Sequence, residues 1–292
     1  MKKKKSIIIL ILLLCGVLIG TGLMLYPFFS EWYTQKVQAD VQTVYQESVE
    51  QFDNDELDAA REAAQRYNYK LRTVQFKVDA VVEDYEDLLN LSGNGVMGSV
   101  EIPAIDVDLP IYHTVHDNVL QKGAGHMKGS SLPIGGASTH AVISAHSGIA
   151  GAKMFTDLDK LEEGDLFFLH VLGETLAYKV DLIKITTPSD IDAIRIAEGE
   201  DYVTLLTCTP YGVNTHRLLV RGHRVELTEE EIQAEETKVE PEPSTWKHKY
   251  LEAILLGAAI ALAILLCMGI LFVIQKKRRN PVPEKDDKNK RE

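Results

Sequence analysis

The chain has 292 residues, a formal net charge of -12, and 45% hydrophobic, 7% aromatic and 25% charged residues. That balance excludes a disordered or collagen-like chain, and the acidity argues against nucleic acid as a partner. The 3 cysteines are too few for a disulfide framework or a four-cysteine zinc site.

Lys2, Lys3, Lys4 and Lys5 precede an apolar run over residues 6–29. At about 1.5 Å per residue it is long enough for a hydrocarbon core of about 30 Å. It exceeds the usual signal-peptide core and ends in Tyr26-Pro27-Phe28-Phe29, with no small-x-small cleavage site. The reading is an uncleaved signal-anchor. A second apolar segment, 250–275, is closed by Lys276, Lys277, Arg278 and Arg279. Basic clusters at both outer ends place residues 1–5 and 276–292 in the cytoplasm by the positive-inside rule. The chain is therefore expected to cross the cell membrane twice, with residues 30–249 extracellular. Cys15 and Cys267 fall in the apolar runs, which leaves Cys208 alone in the outer domain.

Residues 30–95 read as a helical extension. Apolar residues recur at helical spacing, as in Val41, Val44, Tyr45 and Val49, and no glycine interrupts before Gly93. One of two or three helices should continue the anchor outward, with residues 67–82 as a less regular stretch between helices. From Gly98 the period becomes two: Val100, Ile102, Ile105, Val107, Leu109 and Ile111 alternate or nearly so, punctuated by Pro103 and Pro110. Further strands are expected over 140–144, 166–171, 175–187, 202–208 and 216–225, and one short helix over 153–161. Many short strands with few helices predict a mainly β barrel or sandwich over residues 96–226. Residues 227–249, acidic and with Pro241 and Pro243, read as a solvated linker.

Cys208 ends the apolar strand Tyr202-Val-Thr-Leu-Leu-Thr-Cys208, just before the turn Thr209-Pro-Tyr-Gly212. A thiol there is within reach of a substrate; the alternative is an inert buried cysteine. A lone exported thiol is an oxidation liability unless it has a use. A nucleophilic cysteine needs a histidine close by. Of the 9 histidines, His146 is the best placed, because it leaves the segment Ala141-Val-Ile-Ser-Ala145 and enters Ser147-Gly148. His140 opens the same strand and should lie at its other end. Acyl transfer also needs a donor for the developing oxyanion. A hairpin after Cys208 would return Arg217 beside it, whereas Arg221 lies about 13 Å further along the strand. No metal-binding spacing, phosphate loop or dinucleotide fingerprint is present, so no cofactor is called for.

The segment Thr204-Leu-Leu-Thr-Cys-Thr-Pro-Tyr-Gly-Val-Asn-Thr-His-Arg217 resembles the sortase signature, in which Thr-Leu-x-Thr-Cys is followed by an arginine on the next strand. Its turn is similar to that of class C, the pilus-assembling sortases of Gram-positive bacteria. Gly95-Val-Met-Gly-Ser-Val-Glu-Ile-Pro103, Leu109-Pro-Ile-Tyr-His113, Gly125-His126 and Ser131-Leu-Pro-Ile-Gly135 resemble the same class, and His140-Ala-Val-Ile-Ser-Ala-His146 resembles the family's strand ending in the catalytic histidine. The likeness spans about Asn94 to Val225, and a second membrane helix is a further class C trait.

The resemblance implies a closed sortase β-barrel, with Cys208 as nucleophile, His146 as its acid/base partner and Arg217 as the oxyanion or substrate-aligning cation. It also implies the activity, cleavage of an LPxTG-like sorting signal on pilin or surface proteins and transfer of the acyl fragment to a pilin lysine. A housekeeping sortase acting on cell-wall peptide is one rival; an inactive membrane-tethered binding module is the other. One departure stands out: many class C enzymes carry an Asp-Pro-aromatic lid motif, and no Asp-Pro pair occurs in this chain. Tyr69 and Phe76 are the nearest aromatic candidates for a plug.

Overall fold

The computed structural model describes residues 2–74, 85–148, 151–238, 250–259 and 270. Helices α1 (Lys2–Gln51) and α2 (Asn54–Val74) precede eight strands: β1 (Val96–Ile102), β2 (Val107–His113), β3 (Ala124–His126), β4 (Thr139–Ser144), β5 (Leu166–Val171), β6 (Glu174–Thr186), β7 (Asp201–Thr209) and β8 (His216–Val225). A one-turn helix α3 (Asp117–Leu120) lies between β2 and β3, and α4 (Glu229–Lys238) follows the last strand.

The strands close into a barrel in the order β1-β2-β3-β4-β7-β8-β6-β5. The pairs β2–β3 and β4–β7 are parallel, and the rest are antiparallel. Closure removes the edge strands an open sheet would expose. Inward-facing residues fill the barrel, among them Val100, Ile102, Ile111, Ile143, Phe167, Leu169, Leu205 and Val220, each less than 1% exposed. Phe167 stacks on Tyr178 with ring centroids 5.6 Å apart. Gly222 makes room for this pair, since a Cβ there would lie 2.6 Å from the Phe167 ring.

Helix α2 belongs to this core. Tyr67 and Leu71 of α2 are buried with Ala64, and these three recur at helical spacing. Asn68 interrupts the apolar stripe yet is buried, because its side-chain amide donates to the Leu132 carbonyl and accepts from the Leu132 N–H. That polar residue in the stripe made the segment look irregular, and the expected loop over 67–82 is helix as far as Val74.

Two other readings are corrected. Residues 153–161 form only a 3₁₀ turn, Leu158–Lys160: Met154 has a positive φ of 44 degrees, which no α-helix accommodates. The acidic segment after residue 226 is not all solvated linker. Thr228 and Glu231 cap α4 reciprocally, the Glu231 N–H donating to Thr228 Oγ1 and the Thr228 N–H to Glu231 Oε2. Ile232 then packs with Phe168 and Ala177.

The expected pair of membrane-crossing helices is not seen as such: among the described residues no helix is long and apolar enough to cross a membrane. Most of the segment 250–275, and many side chains of the run 6–29, lie outside the described residues.

Candidate active site

Three adjacent strands bring the candidate residues to one end of the barrel. Cys208 on β7 lies directly opposite Arg217 on β8, so the two side chains share a face of the sheet. Strand β4 runs parallel to β7, with Ser144 beside Leu206, and the Ala145 N–H continues the ladder to the Leu206 carbonyl at 3.1 Å. His146 therefore leaves the sheet next to Cys208. Its carbonyl accepts from the Phe155 N–H at 3.0 Å, which fixes the chain as it departs. Cys208, His146 and Arg217 are all half-buried.

The two threonines of the signature have separable jobs. Thr207 donates from Oγ1 to the Ala145 carbonyl at 2.8 Å, clamping β7 to β4 one residue before both Cys208 and His146. Thr204 meets His140 Nε2 at 2.7 Å. The other ring nitrogen of His140, Nδ1, lies 2.9 Å from the Arg195 carbonyl. A carbonyl only accepts, so Nδ1 carries the proton and Thr204 donates to Nε2. His140 is thus a buried, neutral strut at the far end of β4.

The same sheet face continues away from Cys208 as an apolar floor of Val142, Leu206 and Leu219, covered by Ile191, Ala193 and Ile194 from the β6–β7 connection. Asp190 ties that connection to β6, accepting from Thr186 Oγ1 at 2.6 Å and from Lys184 Nζ at 3.1 Å. The Thr186 hydroxyl is the main reason its carboxyl is held down, to about 2. Cys208 therefore sits at the end of a buried apolar cluster that the β6–β7 connection covers.

Arg217 and Arg221 part company. Arg217 Nη1 donates to nearby main-chain carbonyls, those of Asn214 at 3.3 Å and His216 at 3.0 Å. Arg221 is committed to a two-point ion pair with Asp181, both contacts 2.9 Å, and stacks on Tyr202 with its guanidinium carbon 4.1 Å from the ring centroid.

Sequence reasoning did not find the role of Tyr211. This residue of the turn after Cys208 lies over Gly148, where a Cβ would come 3.0 Å from the ring, and Gly148 has a positive φ of 82 degrees. Both facts call for glycine two residues after His146. As a plug, Tyr69 fails. It is 72% exposed and lies under Arg72, whose guanidinium reaches the Ala137 carbonyl, near the start of β4. Phe76 lies outside the described residues.

Two buried histidines make the domain acid-sensitive. Burial pushes both His140 and His126 down to about 4. His126 Nε2 faces the Ser131 carbonyl at 2.8 Å and Nδ1 the Tyr85 hydroxyl at 2.7 Å. The unfolded chain titrates these rings near 6.5, so between about 6.5 and 4 it binds more protons than the native state. Stability should therefore fall with pH across that window, by up to about 3 kcal/mol per ring. Asp201, raised chiefly by burial, acts in the opposite sense from the ordinary carboxylate range upward. Urea unfolding followed from pH 7 to 4.5 should show a declining midpoint; a flat one would contradict the neutral rings.

Comparison with known proteins decides the family. Residues 100–225 match the Sortase domain family. Sortase C1 of Streptococcus agalactiae has a solved structure that is 43% identical over 65% of this chain and all of that one, with a TM-score of 0.63. The chain belongs to the sortase family. The sortase C structure of Streptococcus pneumoniae is 44% identical, covering 65% of this sortase and 98% of its own chain, with a TM-score of 0.59. Sortase A of Bacillus anthracis is 26% identical over 74% of this chain and 92% of its own length. This sortase is accordingly a cysteine transpeptidase, and its solved relatives at 41–44% identity are pilus-type enzymes.

Proposed function

We propose that this sortase cleaves an LPxTG-like sorting signal and joins the acyl fragment to a lysine of a pilin subunit, building a covalent polymer. The observation that carries the chemistry is the alignment of His146, Cys208 and Arg217 at one end of three neighbouring strands. The higher identity to class C structures than to sortase A supports the pilin substrate.

The Cys208 thiolate attacks the carbonyl carbon of the threonine in the sorting signal. Arg217 stabilises the oxygen as it becomes negative. The Thr–Gly bond breaks as His146 gives its proton to the departing amine, leaving a thioester on Cys208. A neutral lysine amine then attacks the thioester carbon. The C–S bond breaks, an isopeptide bond forms, and the amine proton passes to His146. The apolar runs with basic outer flanks support a two-pass membrane anchor with the barrel outside the cell. Surface proteins or pilins bearing the signal are the partners.

Incubation of the full chain with a pilin domain ending in an LPxTG-like sequence should yield a ladder of boiling-resistant multimers carrying a Thr–Lys isopeptide bond. Transfer to cell-wall peptide amines alone would instead assign a housekeeping role. Arg217→Lys should lower kcat/KM about 10²–10³-fold, because lysine keeps the charge but loses the planar fork. Arg221→Lys should leave the rate nearly unchanged and lower stability through the Asp181 pair. Equal, small rate effects at both positions would make Arg217 structural.

A further inference from the structure

Helix α1 is unbroken from Lys2 to Gln51, and its outer part is fastened along the barrel. Gln38 Nε2 donates to the Lys122 carbonyl at 2.9 Å. Tyr45 OH donates to the Met97 carbonyl and accepts from the Leu172 N–H, both at 3.1 Å. At the outer end of the contact, Val49 lies against Gly173 in the β5–β6 turn, and at the inner end Ser30 lies against Gly151. From Ser30 to Val49 the helix rises about 28 Å.

This attachment gives the barrel a direction. The β5–β6 turn is at one end of β6, and Thr186, opposite Arg217, is at the other. The Val49 contact therefore marks the end remote from the catalytic residues, and the Ser30 contact marks theirs. Gly151 is three residues from Gly148, at most about 11 Å of chain, and Gly148 lies beneath Tyr211. Ser30 directly follows the apolar run 6–29.

Large apolar side chains are exposed at this same end. On α1 they are Tyr26, Phe29, Trp32 and Tyr33; on the turn after Cys208 they are Tyr211 and Val213, 52% and 64% exposed. Aromatic residues at such a junction favour the headgroup layer of a bilayer, whereas a cluster facing water would be an association hazard.

We propose that the catalytic end of the barrel rests on the lipid surface, with Tyr211 and Val213 entering the interfacial layer beside Trp32 and Tyr33. Cys208, three residues before Tyr211, then opens directly above the headgroups. This inference rests on the membrane-anchored reading of the run 6–29. The occupant is lipid, because the α1 half of the patch, Tyr26 to Tyr33, continues the apolar run of that helix and the turn residues are exposed at the same end.

The test uses the full chain in phosphatidylcholine vesicles containing brominated lipid, in a Trp32→Phe, Trp246→Phe background. Tyr211→Trp and, separately, Val213→Trp place one fluorophore at the proposed contact. Tyr69→Trp places one near the start of β4, at the remote end. Bromolipid should quench the first two several-fold more than the third. Equal, weak quenching at all three sites, in protein that resists alkaline extraction from the vesicles, overturns the seating and leaves the anchor intact. Release by alkaline extraction overturns the anchored reading and the seating with it.

Discussion

Cys208→Ala should give a folded protein with no detectable transpeptidation. The loss is complete because the thioester requires the sulfur, and the Thr207 hydroxyl is engaged with the Ala145 carbonyl. The stability change should stay below about 1 kcal/mol, since one half-buried atom at a strand end is removed and the β7–β8 ladder is untouched. Gel analysis of multimers and a thermal melt would check both halves. Residual polymerisation in Cys208→Ala would remove it as nucleophile. Loss of the fold would mean that the thiol had been a packing residue.

The second large effect separates two histidines on one strand. His146→Ala should reduce turnover about 10²–10⁴-fold and leave the melting temperature nearly unchanged, because His146 is half-buried beyond the last β4 pair. His140→Ala should show the reverse. It leaves the Thr204 hydroxyl and the Arg195 carbonyl without the ring between them, a loss of about 1–3 kcal/mol for each buried group stranded. Its remaining folded fraction should still turn over. Comparable rate losses in the two folded proteins would count against His146 as the acid/base.

How much of this could be read from the chain depended on the kind of signal. The period-two strands and the hairpin returning Arg217 to Cys208 are local patterns, so β4 through β8 and their shared end were legible. Strand β3, only Ala124–His126, is too short for a period and exists because β2 and β4 hold it on both sides. The end of α2 was obscured by Asn68, whose burial makes sense only once Leu132 is beside it. Helix α4 carried its capping pair, Thr228 and Glu231, in plain view, but the charge of the segment outweighed that signal. In the site, the partners of Thr204 and Thr207 lie on a strand about sixty residues earlier, so their roles needed the fold.

The pairing of Cys208 with Arg217 across one hairpin also limits how this enzyme can be altered. Side chains alternate across a strand, so a one-residue slip of β8 against β7 would turn Arg217 to the barrel interior and bring His216 or Leu218 to its place. The turn over residues 210–215 can therefore be redesigned in sequence, and even lengthened, as long as the ladder from Cys208–Arg217 to Tyr202–His223 keeps its register. A graft of this turn from another enzyme should be judged first by that parity and only then by the residues it carries.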